Sequence, residues 1–429
     1  MKTKTLIASF VCLSAFTLAQ SQPKTFAIRG GKLLTVSHGT IENGTVVISD
    51  GKIAAVGPAA SVKIPAGAEV IDAKGMTVYP GLIDSETHLG LTEIEVEDMT
   101  NDLVEASDEI MPQMHVYDAF HAETTLIPVT RYNGITNAIV APSDKDTLPG
   151  QDSFIQLYGH NANEMLIGRD VAMPMNFTGA QRRNESFKSA KFPMTRMGLA
   201  SQMRQTFIDT QEYMRKLDEN AAKPADKREH IKRELKFEAL IPYLKGQKPV
   251  VLEANTASEF DAAIALAQEF KLKIILNHLS HAQNVLDQIA ALKVPVIVGP
   301  IYEMPNDDER YDTVYKLPAE LSKRGVKVIF ASYDSHQSRN LPYAAGYAVA
   351  FGLPYDEALK GLTLYPAEAW GVADKLGSLD VGKQANVVIA NGDPLDVKTD
   401  VKRVFIAGVD VPMVNKQTVL RDEYGGGTK

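Results

Sequence analysis

The chain has 429 residues, of which 45% are hydrophobic and 23% charged, and a formal net charge of −8. That length is too great for one small core and fits a large domain with a smaller companion, while the ordinary apolar and charged fractions exclude a disordered chain. The basic residues are scattered, so the electrostatic footprint of a nucleic-acid binder is absent.

The first 19 residues, MKTKTLIASFVCLSAFTLA, place lysines at 2 and 4 ahead of an apolar stretch from Leu6 to Leu18. This is the pattern of a secretory signal peptide, too short and wrongly flanked for a spanning helix, so an exported, soluble chain is expected in the periplasm or outside the cell. Cys12, the only cysteine, lies within that segment, which leaves the rest of the chain without disulfides or a thiolate metal site. No other apolar run approaches membrane-spanning length.

From about Phe26 to Val78, short β-rich runs are separated by turn residues. Asp50-Gly51 between two such runs is a hairpin signal. From Tyr79 to about Val372 the pattern changes to short apolar strands, GITNAIVAP, PVVLEA, LKIILNH, VPVIVGP and VKVIFAS, alternating with helical stretches. Helices are expected over residues 258–270, with Ser258 as N-cap, and 282–292. Such alternation predicts a parallel sheet covered by helices, either a doubly wound sheet or an eight-stranded barrel. Residues 200–246 are rich in Lys, Arg, Glu and Gln; Pro224 divides them into two expected helices of a solvated insertion. From about Gly377 the β pattern returns. The first and last zones are each too small to bury much alone, so one composite β domain built from both termini is the economical reading.

In YPGLIDSETHLG, Asp84, Glu86 and His88 recur at spacing two, which on an extended strand puts all three on one face. Ionisable groups on a strand that begins with Leu82 and Ile83 are costly unless something uses them. In a parallel barrel, the C-terminal strand ends converge on one mouth. There the sequence offers Glu86 and His88, then Glu253, then Asn277 and His278, then Asp334, with Ser335 and His336 just beyond. Taken singly, each is explained by a hydrogen bond to a neighbouring loop. Together, two imidazoles and three carboxylates disfavour one another's charge, and a bound divalent cation relieves that.

YPGLIDSETHLG resembles the PG-[FL]-ID-x-H-x-H signature that opens the barrel of the amidohydrolase superfamily. The stretch DGKIAAVGP, the unit PVVLEANTASEFDAAIALAQEFKLKIILNH, the segment from YDSHQSRN to EAWGV and the ending LGSLDVGKQANVVIANGDPL are similar to the same superfamily. The nearest likeness is to secreted, imidazolonepropionase-like amidohydrolases of bacteria. This resemblance implies an α/β fold: a (β/α)8 TIM-type barrel over residues 80–373, carrying the charged insertion at 200–246. It adds a small composite β-sandwich domain from residues 20–79 and 374–429, behind a signal peptide at 1–19. It further implies one divalent metal ion, zinc, manganese or iron, held among His88, Glu86, Glu253, His278 and Asp334. His88, His278 and Asp334 match the family pattern. Glu86 and Glu253 stand where the family usually has histidines. Glutamate oxygens are legitimate ligands, and a harder set moves preference from zinc toward manganese, magnesium or iron(II).

The implied reaction is hydrolysis of a non-peptide C–N bond, such as a cyclic amide, or of a small dipeptide, by metal-activated water. Asp334 would be the catalytic residue, accepting a proton from water and passing it to the leaving nitrogen. His278 would bind metal or hold the substrate carbonyl. His336 and Arg339 would contact substrate, the arginine by pairing with a carboxylate. Those two equally fit a surface loop in which Asn340 caps a helix beginning at Leu341. The alternative is a catalytically retired amidohydrolase fold serving as a binding or scaffold partner, motivated by the two replaced histidines. The expected partner is a small-molecule substrate, with no nucleic acid and no membrane span; a homo-oligomer is left open.

Overall fold

The computed structural model describes residues 24–105, 107–178, 192–193 and 195–425. The signal-peptide expectation for residues 1–19 lies outside the described residues. No described helix is long and apolar enough to cross a membrane.

One sheet takes strands from both ends of the chain. Its N-terminal members are β1 (Phe26–Leu34), β2 (Thr40–Ser49), β3 (Lys52–Pro58), β4 (Glu69–Asp72) and β5 (Thr77–Pro80). Asp50 and Gly51 take φ of 52° and 75° between β2 and β3, the double left-handed conformation that a two-residue hairpin demands. Next in the chain come the eight strands of the barrel, β6 (Leu82–Thr87), β7 (Ile135–Val140), β8 (Asp152–Gln156), β9 (Leu166–Asn176), β10 (Val250–Thr256), β11 (Ile274–His281), β12 (Val296–Val298) and β13 (Val328–Phe330). The chain then returns to the first sheet with β14 (Val387–Ala390), β15 (Val401–Ile406) and β16 (Val409–Val411). That sheet runs β16-β15-β14-β5-β1-β2-β3, with β4 beside β1. β5 and β14 pair antiparallel, Pro80 opposite Val387, so neither terminal segment completes the sheet alone. Phe26 meets Phe405 edge-on at 5.0 Å across the shared core.

The barrel strands lie in sequence order from β6 to β13. Backbone amides of Ser332 and Tyr333, just past β13, donate to the Glu86 carbonyl of β6 at 3.2 and 2.9 Å and nearly close the ring. The interior is a layer to which every strand contributes one apolar residue: Ile83, Ile139, Phe154, Ala172, Val251, Ile275, Ile297 and Ile329. That layer is a packed floor, and polar groups two or three residues further along the strands stand above it.

The structure departs from the sequence expectations in four places. β8 pairs antiparallel with both β7 and β9, against the all-parallel expectation. Only the short helix Ala162–Met165 and its flanks join β8 to β9, too little chain for a parallel crossover. The helix expected at 258–270 runs Ala257–Glu269 and is capped by Thr256, because Glu259 sits at the third helical position and completes a reciprocal capping box with Thr256. The insertion does form two helices, Arg196–Ala222 and Leu235–Leu244, but the first is not simply solvated. Its Leu199, Met203 and Phe207 join the main core, with Phe207 edge-on to Phe270 at 5.0 Å. Finally, the register of β6 shifts between Asp84 and Thr87, so the period-two projection of Asp84, Glu86 and His88 breaks down.

Candidate metal centre and active site

Three buried side chains meet at the barrel mouth. Glu86, Glu253 and His278 each offer one ligand atom, and these atoms lie within 4.8 Å of one another. Glu253 stands two residues above the floor residue Val251, and the bulge in β6 places Glu86 three above Ile83. His278 lies within β11 at φ 65°, a left-handed conformation strained for a non-glycine residue, and Tyr333 opposite it has φ 55°. The two rings stack at 4.2 Å with 25° between their planes.

The hydrogen bonds fix which atoms face the centre. Asn277 donates its amide to Glu86 Oε2 at 2.7 Å while its own oxygen accepts from the Tyr333 hydroxyl at 2.5 Å. His278 Nδ1 lies 3.0 Å from the Gly299 carbonyl, an acceptor, so Nδ1 carries the hydrogen and Nε2 points away from it. Nε2 approaches Glu253 Oε1 at 2.9 Å, yet Oε1 has no aligned hydrogen bond. A lone-pair nitrogen and a carboxylate oxygen so placed need a proton or a cation between them. Burial raises the pKa of Glu86, and Glu253 adds to the rise against His278 and Asn277. Burial also raises that of Glu253, opposed by His278 and assisted by Asp144. For His278, burial alone would hold the imidazolium down, but Glu253 and then Glu86 carry its pKa up to about 9. The donor set, two carboxylates and one imidazole with a buried, unaligned oxygen, fits a hard or borderline divalent cation.

The other sequence-derived candidates take different positions. His88 is not in the group of three; its Nδ1 lies 3.0 Å from the Ala141 carbonyl, and burial holds its pKa below the usual imidazole value. Asp334 is also outside that group. Its Oδ1 accepts from the backbone amides of His336 and Gln337 at 2.5 and 2.7 Å, which fixes the carboxylate over the short helix Gln337–Asn340. His336 is the residue before that helix, and Arg339 lies within it, its carbonyl accepting from Asn133 at 2.8 Å. Asn340 does precede the helix Leu341–Ala350, but its side chain bonds Gln337 instead of capping. Asp84 accepts from Ser332 Oγ and Ser338 Oγ, both at 2.6 Å, and so ties β6 to the loop after β13.

Two carboxylates escaped the sequence reading. Asp144, in the loop after β7, interacts with Glu253, Glu86, His88 and His278. Asp152 opens β8, two residues before the floor residue Phe154, and because that strand runs downward its first residue is the one near the mouth. It is 2% exposed, its Oδ1 has no hydrogen-bond partner among the described residues, and burial followed by Glu86 and Glu253 pushes its pKa well up. Asp152 could have been found only by knowing that β8 is reversed. Asp144 could have been found from its place at the upper end of a barrel strand.

An almost closed eight-stranded barrel with this cluster at its mouth belongs to a defined class. Residues 301–415 match the Amidohydrolase family, and the chain is a member of the amidohydrolase superfamily of hydrolases. A solved amidohydrolase from Thermotoga maritima is 27% identical and superposes with a TM-score of 0.82, covering 90% of this chain and 99% of that one. The imidazolonepropionase of Geobacillus kaustophilus is 28% identical over 375 residues, covering 82% of this chain and 85% of that protein. Amidohydrolase tasK of Hapsidospora irregularis is 24% identical over 406 residues, and this alignment spans 89% of the chain but only 41% of tasK. Within the superfamily, the chain is imidazolonepropionase-like.

Proposed function

We propose that the chain is a divalent-metal-dependent hydrolase of a non-peptide C–N bond, such as a cyclic amide, or of a small dipeptide, with Glu86, Glu253 and His278 as the residues that hold the cation. The observation that supports this most is Glu253 Oε1, 2.9 Å from the one His278 nitrogen not committed to the backbone yet unaligned for a hydrogen bond. A cation held there would supply the positive charge that polarises a substrate carbonyl and acidifies water. Asn277 orients Glu86, and Gly299 sets the tautomer of His278, so the donors are arranged before anything binds. Asp334, with Oδ1 held by two amides, keeps Oδ2 to accept a proton from water and return it to the leaving nitrogen.

The test is metal content. Protein purified without chelators should carry close to one divalent ion per chain by plasma mass spectrometry. Added Mn²⁺, Zn²⁺ or Fe²⁺ should raise its melting temperature by mass action, and Glu253→Gln should abolish the rise. Asp334→Asn should keep the ion while losing roughly 100-fold or more in hydrolysis of whichever cyclic amide or dipeptide the parent cleaves. A chain that takes up metal only when Glu86 and Glu253 are both changed to His would instead favour the retired, partner-binding reading.

A further inference from the structure

Tyr333, the residue before Asp334, reaches both sides of the cluster at once. Its ring stacks on His278 at 4.2 Å with 25° between the planes, and its hydroxyl donates to Asn277 Oδ1 at 2.5 Å. The other end of that amide donates to Glu86 Oε2 at 2.7 Å. The backbone amide of Tyr333 meets the Glu86 carbonyl at 2.9 Å, so one tyrosine is tied to the main chain of Glu86 directly and to its carboxylate through Asn277. Gly299, whose carbonyl accepts from His278 Nδ1, packs against the same ring. A Cβ added to Gly299 would sit 2.8 Å from a Tyr333 ring carbon and 2.6 Å from the Ala331 carbonyl oxygen.

The local chain does not favour this arrangement. Tyr333 and His278 both take left-handed backbone, which is costly for residues with large side chains and persists only where the surroundings over-determine it. The strained turn past β13 brings the Tyr333 ring onto the imidazole of His278. The two contacts on that imidazole then divide the work. The stacked ring fixes its plane, and the Gly299 carbonyl fixes its direction within the plane. An aromatic that merely filled the barrel mouth would need no hydroxyl, yet this one is engaged with Asn277 and is thereby kept from turning toward a substrate. We infer that Tyr333 is a positioning residue of the metal centre: its ring sets the plane of the His278 imidazole, and its hydroxyl, acting through Asn277, sets the aim of the Glu86 carboxylate. The inference deepens the hydrolase reading and rests on the cation assigned there to Glu86, Glu253 and His278.

The test reads the binding and the geometry of an ion, so it does not depend on turnover. Cobalt(II) is the probe, because its visible absorption reports the number and arrangement of its ligands. It is titrated into the full chain, into Tyr333→Phe, which keeps the ring and loses the hydroxyl, and into Tyr333→Leu, which loses both. Tyr333→Phe is expected to bind Co²⁺ about tenfold more weakly than the parent, with shifted visible bands at saturation, and Tyr333→Leu to bind it more weakly still. A residue that only fills space would lower the melting temperature of the metal-free protein and leave the Co²⁺ affinity and bands as they were. That result in either folded variant would overturn the inference, so the loss of one variant to misfolding does not mask the answer. With Asn277→Ala already in place, Tyr333→Phe should change the Co²⁺ affinity by less than about twofold, since the two substitutions break the same link. A full tenfold loss in that background would overturn the route through Asn277. A parent protein that takes up no Co²⁺ would sink the hydrolase reading and this inference with it, whereas a loaded parent matched by its variants would sink this inference alone.

Discussion

Asn277 holds the mouth of the barrel together by spending both ends of one amide, on Glu86 and on the Tyr333 hydroxyl. Replacing it with leucine leaves a buried carboxylate and a buried phenol without those partners, and should cost roughly 3 kcal/mol or more in chemical denaturation. Asp152 makes a different prediction. Its folded pKa is raised well above 3.8, so whatever stability its protonated form contributes is complete below that value and is lost as pH climbs toward the folded pKa. Asp152→Asn should therefore gain on the parent protein as pH rises, measured as the difference between their melting temperatures at pH 5 and pH 8. Of the cluster itself, Glu86, Glu253 and His278 were legible because each is an ionisable residue near the end of a strand that opens with apolar residues. The split between Asp84 and Glu86 was not, since a bulge in β6 leaves no mark in residue type.

At the scale of the element, an ion-paired carboxylate at a helix start can be tested. Asp312 precedes the helix Thr313–Lys323 and pairs with Arg310 at 3.1 Å and with Lys316. Hydrogen bonds from Arg310 and Lys316 pull its pKa from 3.8 to about 2. The sign follows: the contribution is present above 3.8 and disappears as pH falls through about 2. Asp312→Asn should lower the melting temperature at pH 7, and the gap from the parent should narrow as pH drops through that window. β7 and β10 to β13 were legible from their runs of Val, Ile and Leu, and the hairpin from Asp50-Gly51, whereas β8 and β9 carry no such uninterrupted run. The direction of β8 was not, because a strand's residues are the same whichever way it runs; only the length of the connection to β9 decides. The burial of Phe207 was equally hidden, for its helix reads as polar with a narrow apolar seam.

Over the whole molecule, the sheet shared by the termini is where distant segments depend most on one another. The turns at Gly51 and Gly408 touch: a Cβ added to Gly408 would sit 2.6 Å from Gly51 Cα, and Gly408 itself has φ 77°. Gly408→Ala should cost roughly 2 kcal/mol or more through strain and displaced backbone. Hydrogen exchange should show the loss in β2 and β3 as well as in β15 and β16. The composite arrangement was readable in the sequence because each end alone carries too few apolar residues for a core.

That shared sheet also sets an order of events during synthesis. β5 emerges from the ribosome early and must wait for β14, its antiparallel neighbour, until nearly all of the barrel has been made. β1 to β5 pair among themselves, so only the outer edge of β5 waits for the last strands, and a nascent chain stalled before β14 should hold an unfinished sheet beside an assembled barrel.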